Sequence, residues 1–337
     1  MRAWQLEDFG LDNLRLAERP TPKPGPGEIL VKVSAVSLNF RDKAIVDGVY
    51  NPEKMPKNLI PVNDTAGVVA EVGPGVTEWQ VGDRVMSHFY SHWLDGAPAR
   101  DEPDWQLGGP IDGGLAEYMI LEANSAVPTP ANLTDEQAAT LPIAALTAWY
   151  SLVEYGNLKP GHSVLVQGTG GVSMFAIQIA TALGARVIAT SSSDDKLQKA
   201  AALGATDLIN YRTTPDWAEK VRELTDGQGV DQVIEVVGGE NLNQSIHATR
   251  AAGHISLVGF LGGMTAQLDV LSLLYSQAAI RGIAVGHRRA FLDMNAWIEK
   301  NGLDPVIDTV YAFEDAHQAY EHLARGAFGK IVIRIAD

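Results

Sequence analysis

The chain has 337 residues, with 26 lysines and arginines against 41 aspartates and glutamates, and no cysteine. At about 150 residues per domain, this predicts two domains whose cores need no covalent staples. A net charge of −15 argues against a nucleic-acid partner, and the missing cysteines exclude disulfides, thiol nucleophiles, iron–sulfur clusters and thiolate zinc sites.

Glu7 and Asp8 stand where a secretion signal carries its apolar stretch, so a cytoplasmic protein is expected. The first 125 residues read mostly as short strands. Ile29–Val36, Gly67–Val72 and Arg84–Met86 are separated by proline and glycine punctuation. Residues 88–112, rich in Trp, Asp, Pro and Gly, read as a long surface lobe. From about Asn132 strands and helices alternate. The predicted strands are Ser163–Gly168, Arg186–Thr190, Asp207–Asn210, Asp231–Val236, Gly253–Val258 and Ile280–Val285. Between them lie predicted helices at Gly171–Leu183, Asp194–Leu203, Pro215–Leu224 and Asn241–Arg250. Such alternation implies a doubly wound parallel sheet. Two amphipathic helices, Phe291–Lys300 and Phe313–Ala324, and a strand, Lys330–Ile335, close the chain. The longest uncharged run, Pro160 to Ala185, is broken by Gly168, Gly170 and Gly171. It reads as a strand, a turn and a helix rather than a membrane span.

That run holds the sharpest motif, Gly168-Thr-Gly170-Gly171-Val172-Ser173, between a strand and a helix. Gly168 suits a tight turn and Gly170 lets backbone approach a pyrophosphate. The helix from Gly171 aims its unpaired N–H groups at that anion. Dinucleotide binding by Gly168, Gly170, Gly171 and Val172 is therefore expected. The next strand ends in Thr190-Ser191-Ser192-Ser193, with no carboxylate before Asp194. An acid there would hold the ribose of NAD, whereas hydroxyls and a nearby cation suit the 2′-phosphate of NADP(H). Ser191, Ser192, Lys196 and Tyr211 are the candidate contacts, with Arg212 nearby; the serines also read as a simple helix cap. Gly259 and Phe260 follow a strand at the carboxyl edge of the sheet, where nicotinamide contacts are plausible. His88 and His92 are four apart, but no third ligand follows by spacing, and no metal is expected there.

The sequence resembles the medium-chain dehydrogenase/reductases, in their zinc-free, quinone-oxidoreductase-like branch, over essentially its whole length. The resemblance rests on Ser37-Leu-Asn39-Phe-Arg41-Asp42, Pro61-Val-Asn63-Asp64-Thr-Ala-Gly67, Val81-Gly-Asp-Arg-Val85 and Gly113-Gly-Leu-Ala-Glu-Tyr118. Leu141-Pro through Tyr150, the glycine loop and Gly329-Lys-Ile-Val-Ile333 complete it. It implies a GroES-like β-rich catalytic domain over 1–127 and 286–337, and a Rossmann domain over 128–285, with nicotinamide lying in the cleft between the two. It further implies a homodimer built on the sheet edge, for which the last Rossmann strand, Ile280–Val285, is apolar enough. Lys330 is placed on the cofactor side.

Where zinc-dependent relatives carry ligands, this chain has Asn39, Asn63-Asp64 and Ile143. The zinc-free enzymes it resembles use an Asn, a Tyr and a Thr at positions matching Asn39, Tyr50 and Thr147, which become the candidate catalytic residues. Each also has a plainer reading, as turn cap, cleft cover or helix packing. The activity implied is NADPH-dependent reduction of a conjugated carbonyl, a quinone or enone. A zinc-free alcohol or ketone oxidoreductase and a non-catalytic NADPH-binding protein are the alternatives. Arg41 and Asp42 read as charged neighbours at a domain edge, and His287-Arg288-Arg289 as a basic turn.

Overall fold

The computed structural model describes residues 1–336. The chain divides into two compact units, residues 1–146 with the segment from Val285 onward, and residues 147–284.

The first unit opens with an antiparallel pair, β1 (Arg2–Leu6) and β2 (Leu14–Glu18). Its spine is β3 (Glu28–Leu38), whose inward residues Ile29, Val31, Val33 and Val36 are fully buried. Asn39 ends the strand and caps α1 (Phe40–Val46): its backbone N–H donates to Asp42 Oδ2 at 2.7 Å. Antiparallel β4 (Thr65–Val72) pairs β3, and β5 (Arg84–Met86), β6 (Tyr118–Glu122) and β7 (Val127–Pro128) follow. The unit runs on through α2 (Asp135–Ala138) to Leu146, because Arg84 ties this stretch down, donating to Asp135 Oδ1 at 2.6 Å and Leu133 O at 2.8 Å.

The second unit starts within a helical stretch. There α3 (Leu146–Trp149) sits between two turns of wider π-type bonding, Leu141–Ala145 and Tyr150–Tyr155. Then strands and helices alternate as expected: β8 (Ser163–Gln167), α4 (Gly171–Ala182), β9 (Arg186–Ser191), α5 (Asp194–Ala202) and β10 (Asp207–Asn210). α6 (Trp217–Leu224), β11 (Val230–Glu235), α7 (Asn241–Ala248), β12 (Thr249–Leu257), α8 (Val270–Ser276) and β13 (Ala279–Gly282) complete it. The six strands form one parallel sheet in the order β10-β9-β8-β11-β12-β13. Order reverses between β8 and β11, the crevice position where open α/β sheets bind ligands. β13 stops at Gly282, short of the predicted Val285. Val285 takes a positive φ of 64°, which a β-branched residue in a strand cannot hold.

Back in the first unit, α9 (Arg288–Asn301), β14 (Ile307–Ala312), α10 (Ala316–Arg325) and β15 (Lys330–Arg334) return to the opening sheet. α9 starts three residues before the predicted helix because His287 caps it, accepting from the Ala290 N–H at 2.9 Å. β15 pairs antiparallel with the end of β3, Ile331 opposite Leu38, while β6 pairs the strand's start. That register sets Lys330 beside Asn39. No helix of the described residues is long and apolar enough to cross a membrane.

Candidate active site

In the first unit, the end of β3, the start of β4 and the start of β15 bring four ionisable or amide side chains into one buried cluster. Asp64 is fully buried, yet donors face both its oxygens. Asn39 Nδ2 donates to Oδ2 at 2.9 Å and Asn63 Nδ2 to Oδ1 at 2.8 Å. The Ile143 backbone N–H adds another bond, and Lys330 Nζ lies 3.4 Å from Oδ2. Burial pushes the Asp64 carboxyl up from its ordinary range and the Lys330 ammonium down, each countered by the other's charge. The carboxylate form is the one that satisfies these neighbours, because a protonated oxygen would turn a donor toward donors.

Lys330, placed on the cofactor side by the resemblance, is turned inward. Its ammonium is 2% exposed and donates to Leu38 O at 2.8 Å and Asn39 Oδ1 at 2.7 Å, besides facing Asp64. Its three protons are thus met within the first unit. Asn39 itself is half-buried, and the second proton of its amide has no acceptor among the described residues.

Arg41 and Asp42, read from sequence as edge charges, are both buried, on α1. The Arg41 guanidinium lies between the rings of Tyr50 and Phe89, 5.1 and 4.9 Å from their centroids. It donates to Leu107 O, Gln106 Oε1 and Gly109 O. These contacts pull in both ends of the 88–112 segment: His88, Phe89, Tyr90, Gln106 and Leu107 are buried, as are Ser91 and Trp93, and the exposed stretch shrinks to His92 and 94–101 with Asp104 and Trp105. Tyr50 is half-buried against Arg41.

Burial drives the Asp42 carboxyl up to about 6, despite Arg41 and the Asn39 N–H. The folded chain therefore holds a proton that the unfolded chain releases in the pH 4 to 6 range, and stability falls as pH rises through that window. An Asp42→Asn variant lacks this titration. The stability of the native protein relative to Asp42→Asn is expected to drop by about 2–2.5 kcal/mol between about pH 4 and pH 7. Urea unfolding across that range checks it, and a pH-independent difference would count against it.

The histidines and the basic turn are structural. His88 is buried with Nε2 3.0 Å from Gly286 O, and burial lowers it to about 4, while His92 pairs with Glu122 at the surface. Arg288 donates to Ala126 O, and Arg289 pairs with Asp95 and Asp293.

In the second unit, Gly168 takes a left-handed φ of 71°, and its backbone makes the turn into α4. An added side chain at Gly170 would meet no protein atom within 4 Å. Packing gives no reason for this glycine; close approach of a ligand does, and an α4 whose first N–H groups lack a side-chain cap fits an anion there. Val172 is half-buried at the mouth of the turn, and Ser173 is buried, its hydroxyl on Gln167 O at 2.7 Å. Ser191 ends β9 and Ser192 follows it, Ser193 caps α5 by accepting from the Lys196 N–H, and Lys196 stands half-buried on the first turn. Asp194 is held by Asn210 Nδ2 at 2.7 Å, and Tyr211 is exposed. Phe260 is half-buried on the loop after β12; at Gly259 a side chain would strike Val236 O at 2.3 Å, so that glycine is explained by loop packing alone. Thr147 is buried at the start of this unit, whereas Asn39 and Tyr50 belong to the first.

Sequence reasoning missed Glu235. It is fully buried at the end of β11 and accepts from the backbone of Val237 and Gly238 and from Asn241, Gln167 and Ser245.

A parallel nucleotide-type sheet with a glycine turn, joined to a β-rich unit carrying a polar cluster, defines a two-domain dinucleotide oxidoreductase architecture. Residues 25–131 match the alcohol dehydrogenase GroES-like domain, and residues 171–300 the zinc-binding dehydrogenase family. A zinc-type alcohol dehydrogenase-like protein of Schizosaccharomyces pombe is 43% identical, over 98% of this chain and 97% of its own. A crotonyl-CoA reductase of Streptomyces collinus is 30% identical (95% and 82% covered), and a quinone oxidoreductase of Rattus norvegicus 28% (99% and 97%). Among solved structures, an NAD-dependent alcohol dehydrogenase superposes with a TM-score of 0.89 at 35% identity, over 100% of both chains. A mycobacterial protein complexed with NADPH superposes at 0.84 and 28%, over 99% and 100%. The chain belongs to the medium-chain dehydrogenase/reductase superfamily of oxidoreductases, whose members bind nicotinamide cofactors.

Proposed function

We propose that the protein is a zinc-independent, NADPH-dependent reductase of conjugated carbonyl compounds, quinones or enones, and works in the cytoplasm. The observation that carries this reading is the state of Asp64, the only acidic residue at the positions where zinc-dependent relatives hold their metal. Both its oxygens are occupied by donors and its charge is met by Lys330. Neutral Asn39, Asn63 and Ile143 supply no anionic ligand, and an ammonium already stands in the cluster, so these residues do not fit a zinc ion.

The second unit holds NADPH at the α4 amides, with Gly168, Gly170, Gly171 and Val172 shaping the turn. Ser191, Ser192, Lys196 and Tyr211 receive the 2′-phosphate; engagement of Asp194 by Asn210 supports this over NAD. When bound, NADPH supplies hydride. Asn39 donates its remaining amide N–H to the carbonyl oxygen and Tyr50 provides a further hydrogen bond or the proton, with Thr147 of the second unit as the third candidate catalytic residue. An amide donor without a metal is better matched to enones and quinones than to simple ketones. Their reduced anions are enolates and hydroquinone anions, far weaker bases than an alkoxide, and need less stabilisation.

EDTA-treated enzyme is expected to oxidise NADPH with a panel of quinones and 2-alkenals at an unchanged rate. Turnover of simple alcohols only, or loss of activity with chelation, would reject the reading; the name of the 43% identical relative makes alcohol turnover the outcome to watch. The protein is further proposed to be a homodimer. β13 ends its sheet with one edge unpaired among the described strands, and Leu271, Leu274 and Tyr275 on neighbouring α8 are more than half exposed. Sedimentation at twice 36.2 kDa is expected, and a single-chain mass refutes it.

A further inference from the structure

We infer that Lys330 is a positioning residue that fixes which way the Asn39 amide faces, and so aims its one uncommitted N–H at the substrate oxygen. This rests on the reading of Asn39 as the carbonyl donor. A side-chain amide can exchange its oxygen and nitrogen by a half-turn with almost no change of shape, so packing alone does not orient it. Here charge does. Lys330 Nζ donates to Asn39 Oδ1 at 2.7 Å, and Asn39 Nδ2 donates to Asp64 Oδ2 at 2.9 Å. The rotated amide would set its NH₂ against an ammonium and its oxygen against a carboxylate. Both contacts would be repulsive, so one orientation remains.

In that orientation one amide proton is spent on Asp64 and the other has no acceptor among the described residues. Two further effects act in the same direction. An ammonium on the amide oxygen draws electron density from the nitrogen and strengthens its N–H as a donor. The same charge balances Asp64, so negative charge developing on the substrate oxygen does not face an uncompensated carboxylate. Lys330 reaches this place because β15 pairs Ile331 with Leu38, and its ammonium is held by Leu38 O at 2.8 Å.

The test is a double-mutant cycle on the hydride-transfer rate, read in single turnover with NADPH and the best acceptor of the quinone and alkenal panel. Lys330→Met is expected to slow that step about 10- to 100-fold while leaving NADPH affinity within about twofold. In an Asn39→Ala background the same substitution is expected to cost at least about fivefold less, because the amide to be aimed is gone and only the balancing of the Asp64 charge remains. Lys330→Gln, which keeps an N–H for Asn39 Oδ1, loses less than Met, and carries the comparison should Lys330→Met fail to fold. Equal losses in both backgrounds, or a loss of NADPH affinity that matches the loss in rate, would overturn the inference.

A second readout needs no turnover. With ¹⁵N-asparagine labelling, the Asn39 side-chain amide, assigned by its absence in Asn39→Ala, is expected to give two widely separated proton signals. In Lys330→Met and Lys330→Gln they should move together or broaden. Unchanged signals would refute the positioning role. Changed signals in a protein that reduces no carbonyl would uphold the positioning and reject the proposed substrate.

Discussion

Replacing Glu235 with leucine is expected to destabilise the second unit by about 3–5 kcal/mol, the range found when a buried charged network loses a member. The carboxylate has no exposed surface and is held by amide and hydroxyl donors. Oε1 accepts from the Val237 N–H at 2.8 Å and the Gly238 N–H at 3.0 Å. Oε2 accepts from Gln167 Nε2 and Asn241 Nδ2, each at 3.0 Å, and from the Ser245 hydroxyl. Leucine matches much of the volume and removes the acceptor from the two N–H groups and the hydroxyl, at about 1–3 kcal/mol for each one left unmet, whereas Gln167 Nε2 keeps Ser245 Oγ and Asn241 Nδ2 keeps Gln167 Oε1. Relaxation and water entry keep the total below the sum. Glu235→Gln keeps an acceptor oxygen but points an NH₂ at other donors, so it should fall between. Urea unfolding followed by the fluorescence of buried Trp217 reads the effect, and a leucine variant within 1 kcal/mol of the native protein would contradict it. Binding should suffer too. Gln167 directly precedes Gly168, and its carbonyl anchors Ser173, so loosening it shifts the phosphate-facing turn.

The largest effect on turnover is expected from Asn39→Ala. Removing one preorganised donor from a developing oxyanion costs about 10²- to 10³-fold in kcat, or about 2.7–4 kcal/mol. The loss should fall on kcat, with NADPH affinity held within twofold, because Asn39 belongs to the first unit and the glycine turn to the second. The variant should also fold. Asp64 keeps its bonds from Asn63 and Ile143 and its counter-ion Lys330, so no buried charge is stranded. Steady-state kinetics with a quinone, together with cofactor fluorescence titration, separate the two quantities. A kcat within tenfold of the native value would remove Asn39 from the chemistry.

The second unit was largely legible in the sequence because its order is local. Each strand and helix carries its own periodicity, and the glycine turn announces itself by residues that no packing demands, as the open space at Gly170 shows. Glu235 escaped notice for the opposite reason. Its donors come from Gln167, the 237–238 turn and α7, and nothing in the stretch around it indicates that they converge. The burial of Arg41 and Asp42, which the sequence places only as charged neighbours at a domain edge, is hidden in the same way: helix α1 is short, and only the arrival of Phe89, Gln106 and Leu107 buries its arginine. Lys330 was assigned by its place in a motif, whereas the pairing of β15 with β3 decides where its ammonium goes. Motif spacing locates backbone well and side-chain partners poorly, since partners are fixed by strand register across distant segments.

The bond between Lys330 and Asn39 spans 291 residues of chain. A contact that distant closes a very long loop, which is slow and costs chain entropy. Until β15 docks, Asp64 and Asp42 have no lysine beside them, and the first unit carries its acidic cluster with Arg41 as the nearby cation. The donor geometry therefore waits on β15, and a chain with a finished dinucleotide sheet but an undocked β15 lacks it. Cofactor binding should return before reductase activity when the denatured protein is diluted into buffer.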